Sequence, residues 1–482
     1  MKKNLFYTTG LLLIIIFFIS FNQFLTWSND YGFYFVGSNF LNNDYQLYEQ
    51  HNESKGPAYL FFLKIIILIF GFGSFQAFLG LYFTLLLYIF SILFISLKTF
   101  NEYYKIVTIL IISVASLNFH DGNSSISFFQ GAFLILTFFY IEKYYKLKRL
   151  TFLNFASFFF TITFLTRIEV LTFTPLLFLP IFILHKNKPL ILCKHLLSVF
   201  SIILITFTIF SYIYSYNFYD FWYNNVTINK SDVAYDWKNV KSKLFILKYR
   251  SEFILYLLSS GIIYFIVYFA LNLTKTFEVL KKEIFSILFV ITGLATSVYI
   301  ESPELKHSII VVTPFIFLII RFLLIDYWNL KIFNYLGVLF IIVMIYPELN
   351  KSIKNLHNIK CIKNMLCDSS RLSLDVNFLE DVKNNKDSII LHANPWFYML
   401  LNKYPKEGII TGRIYHDSKA YYMKSKYLIE MHQKYLNTHN LEFYMPNSTA
   451  KNPNDYSKEL IDSSILIKRY KTYSKFKKFM HQ

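Results

Sequence analysis

The chain has 482 residues, 55% of them hydrophobic and only 16% charged, too little charge to cover the surface of a soluble protein of this length. Its formal net charge of +18 would suggest nucleic acid in a soluble protein, but many of the Lys and Arg stand in short loops between apolar runs and no nucleic-acid motif is present. Composition therefore excludes a soluble enzyme and leaves an integral membrane protein; the abundant Phe and Tyr read as lipid-facing helix surface rather than as a ligand site.

Met1-Lys2-Lys3 precedes an apolar run that ends at Leu25. The run is longer than a signal-peptide core and has no small-residue cleavage site, so it reads as a retained anchor with its N-terminus inside. A loop is expected over Thr26–Pro57. Further crossings are expected at Gln76–Leu97, Ile106–Phe119, Ser125–Ile141, Thr151–Leu165, Val170–Leu184, Leu196–Tyr216, Phe253–Leu273, Ile284–Ile300, Ser308–Leu324 and Ile332–Ile345.

The segment Ala58–Gly73 is ambiguous, being short, interrupted by Lys64 and closed by Gly71-Phe72-Gly73. Positive charge resolves it. With Lys2 and Lys3 inside, the loops bearing Lys98 and Lys105, Lys143 to Arg149, Lys186 to Lys194, and Lys275 to Lys282 fall inside only if an even number of crossings separates Lys3 from Lys98. Ala58–Gly73 is therefore expected to lie at the outer interface. That gives about eleven crossings plus an interfacial helix, with Thr26–Pro57 and the C-terminal region outside.

From Glu348 the composition turns polar, which divides the chain into a transmembrane domain, 1–347, and an extracytoplasmic α/β domain, 348–482. Strands are expected at Ser388–His392, Gly408–Arg413 and Ser463–Ile467, and helices at Trp396–Tyr404 and Tyr421–Tyr435. The basic tail Lys468–Lys478 reads as a solvated helix face. Cys193, Cys361 and Cys367 lack zinc-site spacing; Cys361 and Cys367 are near enough in sequence to pair if their domain is extracytoplasmic. The fold class is thus an α-helical polytopic membrane protein with a C-terminal α/β soluble domain.

This topology gathers the conspicuous polar residues on the outer face: Asp30, Asp44, Glu49, Lys55, His120, Asp121, Arg167, Glu169, Glu301, Glu304, Lys306, His307 and the loop Asn217–Arg250. None of these was used to assign sidedness. Each has a plainer reading. Asp30 can be a solvated helix boundary, Lys55 and Arg167 can snorkel to headgroups, Arg167 and Glu169 can simply pair, and Lys306 and His307 can be interfacial anchors.

The first outer loop carries Asp30 near its start and Lys55-Gly56-Pro57 at its close. In this it resembles the GT-C superfamily, integral-membrane glycosyltransferases that use lipid-linked sugars. The likeness extends to a bacterial, polyprenyl-phosphate-sugar-dependent branch of the protein mannosyltransferase and aminoarabinose transferase type. His120-Asp121-Gly122-Asn123 resembles its Gly-Asn segment, Thr166-Arg167-Ile168-Glu169 its Thr-Arg turn, Tyr223-Asn224-Asn225 its aromatic-Asn element, and Lys306-His307 with Pro314 its His-Tyr…Pro pattern. Three departures stand out: Ser124-Ser125 in place of Thr-Glu, Ser308 in place of Tyr, and Tyr31 where a second acid commonly follows the first.

The resemblance implies transfer of a sugar from a polyprenyl-phosphate donor to a cell-surface glycan, lipid or protein. The leaving group is a phosphate, already a stable anion, so the chemistry needs cations at the departing oxygens and one carboxylate to take the acceptor's proton. Asp30 is the expected base and Asp121 a second catalytic candidate; Lys55, Arg167, Glu169, Asn225, Lys306 and His307 are the expected substrate-binding residues. No metal ligands and no certain cofactor are assigned; a divalent metal is left open, but no second carboxylate supports one, since Tyr31 stands where a second acid commonly follows. Expected partners are the lipid donor, the acceptor and membrane lipids, with no nucleic acid. The alternatives are a polymerase or ligase of lipid-linked oligosaccharides and a non-enzymatic transporter. The absence of two similar halves and the clustering of polar residues at one interface count against the transporter.

Overall fold

In a bilayer each backbone N–H and C=O must find its partner within the segment, so long apolar runs fold as helices. The computed structural model describes residues 2–25, 29–40, 47, 56–118, 125–223, 225, 273–299, 309–324, 376–385, 389–391, 426–471 and 473–478. The helices are α1 (Lys2–Leu25), α2 (Asn29–Phe40), α3 (Pro57–Phe70), α4 (Ser74–Thr99), α5 (Tyr103–Asn118), α6 (Ser125–Leu147), α7 (Leu150–Phe164), α8 (Thr174–His185) and α9 (Pro189–Tyr214). A 3-10 helix, Ile168–Phe173, leads into α8, and the helices Leu273–Tyr299 and Ile309–Leu324 follow.

Every expected crossing among the described residues is a helix. Ser74–Thr99, Ser125–Leu147, Ile168–His185 and Pro189–Tyr214 are long and apolar enough to cross a membrane, and shorter apolar helices accompany them. The chain is a multi-pass membrane protein. The crossing expected at Ile332–Ile345 and all but the last residue of Phe253–Leu273 lie outside the described residues.

The chain divides into two compact units. The first contains the described residues of 1–28, 81–210 and 235–354. Its centre is a group of phenylalanines from four elements. Phe138 of α6 stacks on Phe289 at 3.5 Å, and Phe173 and Phe317 pack edge-on against Phe289 at 5.6 and 5.7 Å. Helices Leu273–Tyr299 and Ile309–Leu324 cross closely at Gly293, where a Cβ would stand 2.7 Å from the Ile310 carbonyl oxygen. Polar side chains inside these apolar helices bond their own backbone, as Ser113 does to Ile109 and Ser157 to Leu153. At the C-terminal end of α6 the Tyr144 hydroxyl meets His195 Nδ1 at 2.6 Å and His185 Nε2 at 3.1 Å, joining α6, α8 and α9.

The second unit contains the described residues of 29–80, 211–234 and 355–482. Its C-terminal part is an α/β domain with a four-stranded mixed sheet in the order β1-β2-β4-β3. The strands are β1 (Ile389–Ile390), β2 (Glu442–Pro446), β3 (Ser464–Arg469) and β4 (Tyr473–Lys478), with β1 parallel to β2 and the rest antiparallel. Helices Val376–Asn384, Lys426–Asn437 and Asp455–Asp462 accompany the sheet. Phe443 and Phe476 stack across it at 5.3 Å, and Phe378 stacks on Tyr473 at 4.5 Å.

Two sequence expectations are corrected. Thr26–Pro57 is not all loop, since α2 occupies Asn29–Phe40. The tail Lys468–Lys478 is not a helix face: Tyr473–Lys478 is β4, a central strand with Tyr473, Ser474, Phe476 and Lys478 buried and Lys475 and Lys477 half-buried. The alternation of Phe476 with lysines is the period-2 pattern of a strand. Expected strands Ser388–His392 and Ser463–Ile467 correspond to β1 and β3, and the helix expected at Tyr421–Tyr435 to Lys426–Asn437. Trp396–Tyr404, Gly408–Arg413, Cys361 and Cys367 lie outside the described residues.

Candidate functional site

Arg167 follows α7 in an extended conformation and precedes the 3-10 helix. It does not snorkel. Only 2% of its surface is exposed. Its Nη2 donates to Glu169 Oε1 at 2.6 Å and its Nη1 to Ser127 Oγ at 2.9 Å. Thr166, buried beside it, bonds back to the Ile162 carbonyl at 2.8 Å. Of the plainer readings, snorkelling is thus corrected and pairing with Glu169 is present: a guanidinium can be buried here because a carboxylate and a hydroxyl are waiting for it.

The support for this arginine comes from elements far apart in sequence. Ser127 is in the first turn of α6, and Gln130 lies one turn further along the same face. The Gln130 amide nitrogen and the Ser125 hydroxyl are buried with no hydrogen-bond partner among the described residues. The 3-10 helix is fastened on its other side, where Thr172 Oγ1 lies 2.5 Å from Thr296 Oγ1 of helix Leu273–Tyr299 and 2.9 Å from the Glu169 carbonyl. Ser127 was missed from sequence. Its hydroxyl is one of several in apolar helices, and nothing local distinguishes it from those that bond their own backbone.

In the second unit, Asp30 lies in the first turn of α2. Tyr31, beside it, is fully buried, and its hydroxyl donates to the Ala77 carbonyl at the start of α4 at 2.5 Å. Gly80 lets this ring approach, since a Cβ there would be 2.6 Å from Tyr31 Oη and 3.1 Å from Leu63 Cδ2. Tyr34 and Tyr59 pack edge-on at 5.8 Å, and Phe35 stacks on Phe72 at 5.7 Å. Tyr31 therefore seats the helix bearing Asp30.

Helix α3 starts with Pro57 at its first position and ends at Gly71, whose φ of 88° is a conformation natural to glycine. Lys64 Nζ lies over the Tyr214 ring, 5.7 Å from its centroid. Asn225 is buried, and its amide nitrogen donates to the Phe221 carbonyl at 2.9 Å. Lys55, Asp121, Lys306 and His307 lie outside the described residues. Among the described residues no three His, Cys, Asp or Glu side chains are grouped to hold a metal ion.

No family model and no curated protein matches the chain. Solved structures do. ArnT from Cupriavidus metallidurans bound to undecaprenyl phosphate is similar with a TM-score of 0.56 at 10% identity, over 99% of this chain and 98% of that one. The same protein in its apo state gives a TM-score of 0.52 at 10% identity, over 98% of each chain. At such identity the likeness is one of fold: the chain has an ArnT-like fold, mostly helical with a small C-terminal sheet, in keeping with the fold class expected from the sequence.

Proposed function

We propose that this chain is a membrane glycosyltransferase. It takes a sugar from a polyprenyl-phosphate-linked donor on the outer face of the cytoplasmic membrane and passes it to a cell-surface glycan, lipid or protein. The observation that supports this reading is the similarity in fold, over nearly the whole chain, to a protein solved with undecaprenyl phosphate bound.

In the proposed reaction the acceptor hydroxyl attacks the anomeric carbon and its proton passes to Asp30. The carbon–oxygen bond to the lipid phosphate breaks from the opposite side, with inversion, and the lipid phosphate leaves as an anion. Arg167 is the phosphate donor whose geometry is best defined. Its guanidinium is held by Ser127 and Glu169, so little is lost in ordering it when a phosphate arrives. Lys55, Lys306 and His307 add positive charge at the departing oxygens, Asp121 is a second catalytic carboxylate, and Asn225 and Glu169 position substrate or its cationic partners. The domain 348–482 contributes to acceptor binding. No cofactor is invoked.

The test is a reconstituted assay with a polyprenyl-phosphate sugar, read by mass spectrometry of the product and of surface glycans from a deletion strain. Asp30→Asn is expected to abolish transfer while leaving donor binding largely intact. Full activity of that variant would remove Asp30 as base. A deletion strain with unaltered glycans, together with no transfer in vitro, would remove the reading itself.

A further inference from the structure

β3 is an edge of the sheet among the described residues, paired to β4 on one side only. A soluble strand ordinarily turns its apolar residues inward, yet here Ile465, Leu466 and Ile467 are 48%, 46% and 48% exposed. Lys468, Arg469 and Lys471 follow at once, all exposed. From Ser463 to Gln482 the sequence contains no Asp or Glu. Three adjacent aliphatics beside three cations, with no acid in the segment, form a surface that is both apolar and basic.

The register argues against a second strand as its occupant. Leu466 pairs with Phe476 and Lys468 with Lys475, so the ladder slips at Ile467. A bulge and adjacent lysines are the features by which edge strands resist strand addition. What remains is a surface of side chains, and its composition matches an anionic lipid interface: aliphatic groups for the acyl boundary and cations for the headgroups. This chain is a membrane protein, so such a surface is always near.

We propose that the β3 edge is a membrane-docking surface, with Ile465, Leu466 and Ile467 entering the headgroup–acyl boundary and Lys468, Arg469 and Lys471 binding anionic headgroups. The docking does not depend on the glycosyltransferase reading or on which face of the membrane carries the domain.

The experiment uses the full chain with its native cysteines replaced. A polarity-sensitive fluorophore is placed at Ile467→Cys, and at Ile465→Cys in case one position perturbs the strand. The protein is reconstituted in nanodiscs of phosphatidylcholine alone or with phosphatidylglycerol, with and without brominated acyl chains. Both labels are expected to shift to the blue and to be quenched by brominated lipid when phosphatidylglycerol is present, whereas a label at exposed Lys458 is not. Lys468→Gln, Arg469→Gln and Lys471→Gln are each expected to weaken docking about fivefold. A label that stays in water in both lipid mixtures would overturn the proposal. A blue-shifted label that brominated lipid does not quench would overturn it too, since protein, from this chain or a second copy, would then cover the strand.

Discussion

A guanidinium with 2% of its surface exposed persists only where fixed partners replace its water, and Arg167 has Glu169 and Ser127 in that role. Removing one member of such a pair strands the other, so Arg167→Ala is expected to destabilise the protein by about 3 kcal/mol. A purely structural arginine would be recovered by neutralising both partners together. The proposed donor contact predicts otherwise: Arg167→Gln with Glu169→Gln regains thermal stability in detergent while the KM for the lipid donor stays high. Return of the donor KM to the wild-type value would leave Arg167 a structural residue. The position of this arginine was legible in the sequence, with pairing to Glu169 as one reading, but Ser127 was not, since it reaches the guanidinium from 40 positions away. Asp381 makes a second case. Burial alone would raise its carboxyl, but hydrogen bonds from Tyr470 and Tyr444 and the Lys475 ammonium at 3.3 Å outweigh it, and the carboxyl sits below its usual range. Its folded value lies below the unfolded one of about 3.9, so its stabilising effect is present above that pH and is lost as pH falls through the folded value. The protection of β2 and β4 amides, corrected for the intrinsic exchange rate at each pH, should therefore fall in acid, and Asp381→Asn should lower it at neutral pH and flatten the acid response. An Asn variant with unchanged protection at neutral pH would contradict this.

Elements whose sequence has a single strong period were legible, and those that mix signals were not. The run Ser74–Thr99 could hardly be other than a long helix. Asn29–Phe40 interleaves Gly32, Gly37, Ser38 and Asn39 with aromatics, a composition that reads as a loop. It becomes a helix because Tyr31, Tyr34 and Phe35 find partners in α3, α4 and the turn between them, and tertiary packing overrides propensity. β4 was misread for the opposite reason: Lys475, Lys477 and Lys478 suggest solvent, but Asp381 and Glu442 receive Lys475 at 3.3 and 3.1 Å and let the strand lie inside the sheet. The seat of α2 has a direct test. Gly80→Ala places a methyl 2.6 Å from Tyr31 Oη, and overpacking of this kind costs about 1–3 kcal/mol. Transfer activity is expected to fall because the displaced ring carries the helix bearing Asp30. Adding Tyr31→Phe removes the clashing oxygen and is expected to restore most of it. If Gly80→Ala alone leaves both stability and activity unchanged, the close approach does not govern the seating of α2.

For the molecule as a whole, its class and helical order were legible because apolar run length and lipid thickness are physically linked. Sidedness depends on subtler charge counting, and α3 is where that counting is decided. The helix has 14 residues, or about 21 Å at 1.5 Å per residue, short of the roughly 30 Å hydrocarbon core. One face buries Tyr59, Leu60, Leu63, Ile66 and Ile67, while Leu68 and Ile69 are 67% and 66% exposed. A helix apolar on both faces, too short to span and held at one side by its neighbours, suits the interface. Helix α4, with 26 residues, is about 39 Å long, enough to cross a membrane, so its two ends are the places to read sidedness. In a background without Cys193, Cys361 and Cys367, single cysteines at Ser74 and Asn101 bracket α4. A membrane-impermeant thiol reagent added to intact cells is expected to label Ser74→Cys and to spare Asn101→Cys, which reacts only after permeabilisation. The reverse pattern would mean that α3 crosses the membrane. It would also reverse the sidedness of every loop after α4, place Arg167 on the cytoplasmic side, and remove the outer-face site on which the proposed transfer reaction depends.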